Sequence, residues 1–239
     1  MKTVKLFEQF IAEGIHDKNI LKAFFMAGGP GSGKSYVAGG LFGFEQENLQ
    51  TVSSSTGLKI INSDQAFEFE LKKMDINPKD LATMDPELFN QLTGAVDSPR
   101  AKAKRITNLK KKLYTGGRLG MVIDGTGDNS DSIARKKEEL EELGYDTYML
   151  FVNTSLNVAL ARNAKRSRSL PEDLVTSTWQ AVQNNLGKFQ AEFGIQNLII
   201  MDNSEDSGPD FNKIEKEINK VLKRPIQNPI GKQWIKENQ

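Results

Sequence analysis

The sequence contains no cysteine and only one histidine, His16. The first absence excludes disulfides and thiol chemistry, and it is compatible with a reducing cytoplasm, the expected location. The second excludes a histidine metal cluster, and His16 itself reads as a structural or solvated loop residue. No run approaches the ~20 apolar residues of a membrane span. The first residues also lack the apolar block of a targeting signal, because Lys2, Lys5, Glu8 and Glu13 interrupt them. Neither sign of charge dominates: 32 Lys and Arg against 31 Asp and Glu leave a formal net charge of +1. Global charge therefore singles out neither nucleic acid nor a membrane as a partner. There is no internal repeat. What is present is 239 residues, 38% hydrophobic and 26% charged, enough to bury a real core in one domain or two small ones.

One stretch organises the rest. Gly28-Gly29-Pro30-Gly31-Ser32-Gly33-Lys34-Ser35 fits G-x-x-x-x-G-K-[ST]. The apolar run Ala23 to Ala27 precedes it and reads as a buried strand. Tyr36, Val37, Ala38 and Leu41 follow and can form the apolar side of a helix. Strand, glycine loop and helix are the context that phosphate binding requires. Glycines let the backbone close on phosphate without Cβ clashes. Consecutive N–H groups then converge on one concavity at a helix N-terminus. Lys34 is expected at the β- and γ-phosphates, and the Ser35 hydroxyl at Mg²⁺.

Four more strands and a series of helices follow the pattern of apolar residues. Val4, Phe7, Phe10 and Ile11 predict a helix within residues 1–20. Leu58 to Asn62 predicts a strand ending at Ser63-Asp64. Asp64 then either faces the mouth of the phosphate loop or caps the next helix. Residues 75 to 115 read as mostly helical. Arg100 to Lys112 carries seven positive and no negative side chains, with Ile106, Leu109 and Leu113 as an apolar stripe. Its basic face is either solvated surface or a contact for an anionic substrate or nucleic acid. Leu119 to Ile123 predicts a strand closed by Asp124, the position of a Mg²⁺-holding acid in P-loop enzymes. Ser130 or Asp131 is expected to cap the next helix, whose Glu138, Glu139, Glu141 and Glu142 read as solvated surface. Tyr148 to Val152 is a fourth strand. Leu156 to Arg166 predicts a helix with Arg162 and Arg166 on one face, followed by Arg168. These arginines read either as a soluble helix end or as a lid, about residues 162–172, that neutralises a phosphoryl group in transfer. A long stripe from Val175 through Trp179 to Phe193 assigns Trp179 to the core. Leu198 to Asp202 is the fifth strand, Phe211 to Leu222 the last helix, and the tail from 225 to 239 shows little periodicity.

Alternating strands and helices imply a three-layer α/β P-loop NTPase fold, a five-stranded parallel sheet with helices on both faces. The expected organisation is an N-terminal helix (1–20), a core domain (21–224) and a C-terminal tail (225–239), the tail available to a protein partner. The combined residues suit phosphoryl transfer from ATP or GTP. Lys34 and the loop amides hold the donor, Ser35 and Asp124 hold Mg²⁺, Asp64 deprotonates an acceptor hydroxyl, and Arg162, Arg166 and Arg168 are candidates to stabilise the transferring group. The expected acceptor is a hydroxyl of a small molecule, nucleotide or nucleotide sugar. The alternative readings are a 5′-hydroxyl polynucleotide as acceptor, through the basic helix 100–112, and a nucleotide-binding regulatory or assembly protein with little transfer activity. No membrane partner is expected.

From about Lys22 to Asn203 the chain resembles the zeta-toxin and polynucleotide-kinase group of P-loop kinases. The likeness rests on Gly28 to Ser35, Asn62-Ser63-Asp64, Ile123-Asp124-Gly125-Thr126 and the arginine segment from Arg162 to Pro171. It implies ATP or GTP as donor, a hydroxyl acceptor, Asp64 as general base and arginines of the lid on the phosphates. Members of the group usually carry an arginine shortly after the catalytic Asp, where this chain has Gln65, Ala66, Phe67 and Glu68. They often carry Glu where Asp124 stands. The polar tail is similar to that of kinases predicted in tailed bacteriophages, which would place the protein in the host cytoplasm.

Overall fold

The computed structural model describes residues 14–42, 56–166, 169–205 and 210–239. The predicted helix around Val4 to Ile11, and Arg168, lie outside the described residues. All five expected strands are present: β1 (Lys22–Ala27), β2 (Lys59–Ile61), β3 (Met121–Asp124), β4 (Asp146–Asn153) and β5 (Leu198–Asp202). They form one parallel sheet in the order β2-β3-β1-β4-β5. The helices are α1 (Lys34–Phe42), α2 (Asp64–Lys73), α3 (Pro86–Thr93), α4 (Pro99–Gly116), α5 (Ser130–Glu142), α6 (Leu156–Ala164), α7 (Glu172–Phe193), α8 (Phe211–Lys223) and α9 (Pro229–Asn238), with 3-10 turns at Gly14–His16, Pro78–Ala82 and Ile195–Asn197.

Strand β1 is buried along its whole length, as a central parallel strand with both faces covered must be. Ala23, Phe25 and Ala27 enter one core with Tyr114 of α4, Ile133 and Leu140 of α5, and Val182, Phe189 and Phe193 of α7. Phe24 and Met26 enter the other with Val37 and Leu41 of α1 and Ile214, Ile218 and Val221 of α8. A satellite core joins Phe67 and Leu71 of α2 to Leu81, Leu92 and Ala103. Tyr36, expected on the buried side of α1, is exposed and meets the Phe211 ring edge-on.

Helix starts follow local chemistry. Asp85, Ser98, Ser155, Asp210 and Asn228 accept backbone N–H bonds as N-caps, and proline follows three of them at the first helical position. The cap of α5 is Asn129, which accepts from Ser132 N at 2.8 Å, in place of Ser130 or Asp131.

Three expectations are corrected. First, Ile106, Leu109 and Leu113 do not face the core: they are 38%, 61% and 53% exposed. Helix α4 instead turns Ala103, Thr107, Tyr114 and Thr115 inward. Small residues let α2 approach closely, and that contact overrides the larger apolar stripe. The basic face is also partly consumed by the chain's own acids, in Arg100–Asp64 at 2.6 Å, Lys111–Glu139 at 2.7 Å and Arg105–Asp97 at 3.5 Å. Second, α6 ends at Ala164, so Arg166 lies beyond the helix and does not share a helical face with Arg162. Third, residues 229–238 are helical. The amides of Gln227 and Asn228 each donate at 2.8 Å to the Asp146 carboxylate, Ile226 is buried, and Trp234 and Ile235 pack on the first core.

Candidate functional site

The carboxyl ends of β2, β3 and β1 lie side by side, so the loops that follow them share one mouth. The loop after β1 is the glycine stretch. Its turn is closed by Ser32 N donating to Gly29 O at 3.1 Å, and it is anchored to the next strand end by Gly28 N donating to Thr126 O at 2.8 Å. Gly31 has φ +78° and lies against the backbone of Ala159, so a side chain there would be excluded by both conformation and contact. Helix α1 begins at Lys34 and directs its unpaired N–H groups into the loop. The Lys34 ammonium lies 2.6 Å from the Gly28 carbonyl, folded over the loop itself. Ser35 is exposed at the first turn.

The end of β3 and the start of α2 supply the acids. Asn62 Nδ2 donates to Asp124 Oδ2 at 2.9 Å, tying the two strand ends together. Asn62 Oδ1 accepts from Asp64 N at 2.7 Å and turns the chain into α2. Asp64 is therefore the first residue of α2, with Ser63 at the cap position, and it does not itself cap the helix. Its carboxylate is half-exposed and meets Arg100 of α4 at 2.6 Å. Asp124 is different: its Oδ1 is shielded from water and, among the described residues, finds no hydrogen-bond partner. Burial, the largest cause, and the nearby Asp64 charge raise its carboxyl above the ordinary range, while Lys34 and the Gly125 amide pull it back. Lys34, Asp64 and Asp124 are thus brought within electrostatic reach of one another. A shielded, orphaned carboxylate oxygen beside a phosphate loop fits a hard cation such as Mg²⁺. Among the described residues no group of three or more His, Cys, Asp or Glu could hold a metal by protein ligands alone. Any ion here would draw further ligands from phosphate and water.

The arginine segment is only partly gathered. Arg162, in the last turn of α6, donates to the carbonyls of Asn203 at 2.7 Å and Glu205 at 3.4 Å. Arg166 is exposed beyond the helix. The buried Asn163 closes the segment by exchanging two hydrogen bonds with Leu170, at 2.8 and 3.0 Å. Residues that the sequence pattern does not assign to the site also meet here. Asn62 and Arg100 contact the two acids, and Asn203 donates to the Ser32 carbonyl at 2.7 Å. Trp179, assigned to the core, is half-buried, donates to Thr154 O at 2.8 Å and packs beside Gly29. Only the Asn62-Ser63-Asp64 string carried a local signal; Arg100, Trp179 and Asn203 come from distant segments.

Comparisons with known proteins agree with this architecture. A family model described as an AAA domain matches residues 24–189. Comparison with curated protein sequences finds no match. Among solved structures, a candidate kinase from Chloroflexus aurantiacus is 12% identical, with 83% of this chain and 97% of that chain covered at a TM-score of 0.54. A structure of the PezAT chromosomal toxin-antitoxin system of Streptococcus pneumoniae is 15% identical, with 90% and 93% covered at 0.54. A gluconokinase from Sinorhizobium meliloti is 13% identical, with 85% and 93% covered at 0.44. The two likenesses at a TM-score of 0.54 show the fold. With the phosphate loop, the strand order and the family match in agreement, the chain belongs to the AAA domain family and has an α/β P-loop NTPase-like fold.

Proposed function

We propose that the protein is a kinase that transfers the γ-phosphoryl group of ATP or GTP to a hydroxyl of a small molecule, nucleotide or nucleotide sugar. The observation that carries this reading is Asp124, whose shielded Oδ1 has no partner among the described residues while Lys34 and Asp64 lie nearby. A motor or switch needs the first two features; an additional exposed carboxylate at the same mouth suits an acceptor. The loop amides and Lys34 hold the donor phosphates. Asp124 and Ser35 would hold Mg²⁺, which when bound neutralises phosphate charge. Asp64 takes the proton of the acceptor hydroxyl as its oxygen bonds the γ-phosphorus and the bond to the β–γ bridging oxygen breaks. Arg162, Arg166 and Arg168 are the candidates to offset charge on the transferring group. Arg100 holds Asp64 in place from α4, in the role of the arginine that relatives carry shortly after their Asp.

Polynucleotide as acceptor is the weaker reading, because three cations of the basic helix are engaged by Asp64, Asp97 and Glu139. The deciding experiment is transfer of labelled γ-phosphate over a panel of nucleosides, nucleotide sugars and 5′-hydroxyl oligonucleotides. Transfer to a hydroxyl is expected, lost in Lys34→Ala and in Asp64→Asn, the latter with nucleotide binding retained. ATP binding with no transfer to any acceptor would overturn the kinase reading, and label on the oligonucleotides alone would select the polynucleotide.

A further inference from the structure

We infer that Asn203 is a positioning residue that holds the phosphate loop in its anion-receiving shape and joins that loop to Arg162. The inference rests on the nucleotide-donor reading of the loop.

Asn203 is the residue immediately after β5, and it is 2% exposed. A buried side-chain amide is stable only when its donors are used. Its Nδ2 donates to the Ser32 carbonyl at 2.7 Å. Its backbone N–H donates to Asn153 O, the last residue of β4, at 2.9 Å. Its backbone carbonyl accepts from Thr154 Oγ1 at 3.3 Å and from Arg162 Nη1 at 2.7 Å. One buried residue thus connects the loop after β1, the ends of β4 and β5, and helix α6.

The bond to Ser32 has a consequence set by peptide geometry. The carbonyl of Ser32 and the N–H of Gly33 belong to one planar trans peptide and point in opposite directions. Holding the carbonyl back on Asn203 turns the Gly33 N–H the other way, into the concavity. Asn203 therefore orients a phosphate-binding donor without touching phosphate. The same approach accounts for glycine at position 33. Its φ is +85°, and a Cβ there would overlap the Asn203 amide. That position would also be 3.9 Å from Arg162 Nη1, so the guanidinium lies alongside the loop. Arg162 is held there by two neutral carbonyls, and among the described residues no carboxylate pairs with it. Its charge is thereby kept available beside the loop, in a pose that Asn203 defines.

The test uses the full chain with Asn203→Asp, Asn203→Ala and Arg162→Ala, and reads thermal unfolding without ligand and affinity for ATP and for inorganic tripolyphosphate. Asn203→Asp is nearly isosteric but cannot donate to Ser32 when ionised. It is expected to weaken both ligands at least tenfold, and Asn203→Ala to weaken them less, with melting temperatures within a few degrees of wild type. The double variant Asn203→Ala/Arg162→Ala is expected to lose less than the sum of the two single losses. Wild-type affinity in both Asn203 variants would overturn the inference. So would loss of ATP affinity with tripolyphosphate unaffected, which would mark a contact to the base, and so would losses that simply follow melting temperature. A wild-type chain that binds neither ligand would overturn the nucleotide reading instead, so the two failures are distinct.

Discussion

The two acids of the mouth illustrate how one residue type acquires two roles. Asp64 is half-exposed and salt-bridged, while Asp124 turns one oxygen away from water with no partner for it among the described residues. Burial of that kind opposes ionisation. A carboxyl whose folded-state value is raised stabilises the fold below its ordinary value and loses that contribution as pH rises through the raised value. Asp124→Asn is therefore expected to melt higher than wild type at pH 8 without ligand, with the advantage disappearing in scans carried below pH 4, the ordinary carboxylate range. The same variant is expected to lose about 10²-fold or more in turnover with Mg²⁺, the magnitude typical of removing one preorganised electrostatic group. Equal melting temperatures at both pH values would show that Asp124 is not destabilised in the folded chain.

At the scale of elements, two features depend on how helices were laid on the sheet. Lys22 lies in β1, yet its ammonium reaches three carbonyls at the end of α8: Val221 at 2.8 Å, Leu222 at 2.5 Å and Arg224 at 2.5 Å. A cation at a helix C-terminus satisfies carbonyls that have no partner within the helix. Burial, the larger cause, and Arg224 lower its pKa from 10.5 to about 8, against the opposing pull of Asp146. Lys22→Met is expected to cost about 1–3 kcal/mol at pH 7, because it strands buried carbonyls. The wild type should gain on the variant as pH rises from about 8 toward 10.5, where only the unfolded chain still holds the proton; urea midpoints across that range measure both effects. Helix α4 makes the opposite point. Since Leu109 is 61% exposed, Leu109→Gln is expected to shift stability by no more than about 0.5 kcal/mol, against about 2–5 kcal/mol for Leu140→Ala in the core. A core-sized loss at Leu109 would return the stripe to the interior.

For the whole molecule, the sheet separates two ends. The phosphate loop, Asp64 and Asp124 lie at the carboxyl ends of the strands. Trp234 of α9 lies at the amino ends, with the Arg118 guanidinium 5.6 Å from its ring. Trp179 lies beside Gly29 and is the only other tryptophan in the chain. Nucleotide binding is therefore expected to change the fluorescence of Trp179 and leave that of Trp234 unaltered. The response should survive in Trp234→Phe and vanish in Trp179→Phe; the reverse would place the nucleotide elsewhere.

Features that depend on neighbours along the chain were legible before the fold was known. The glycine loop, the five apolar strands and the acids closing β2 and β3 rest on local backbone chemistry and on burial of both sheet faces, so periodicity and motif report them directly. The inward face of α4, the end of α6, the core on which α9 docks and the place of Trp179 were not legible, because competition among helices for the sheet decided them. Small Ala103 won the close contact with α2 over the larger Ile106 and Leu109. Arg100 and Asn203 reach the mouth from 36 residues beyond Asp64 and 171 beyond Ser32. No local pattern marks Asn203, and the basic run that begins at Arg100 does not point to Asp64. The sequence by itself determined that a glycine loop of the phosphate-binding pattern stands at the end of β1. Tertiary structure decided which distant amide and which distant cation shape the groups around it, since hydrogen bonds of a few ångströms form only after the strand order has brought their partners together.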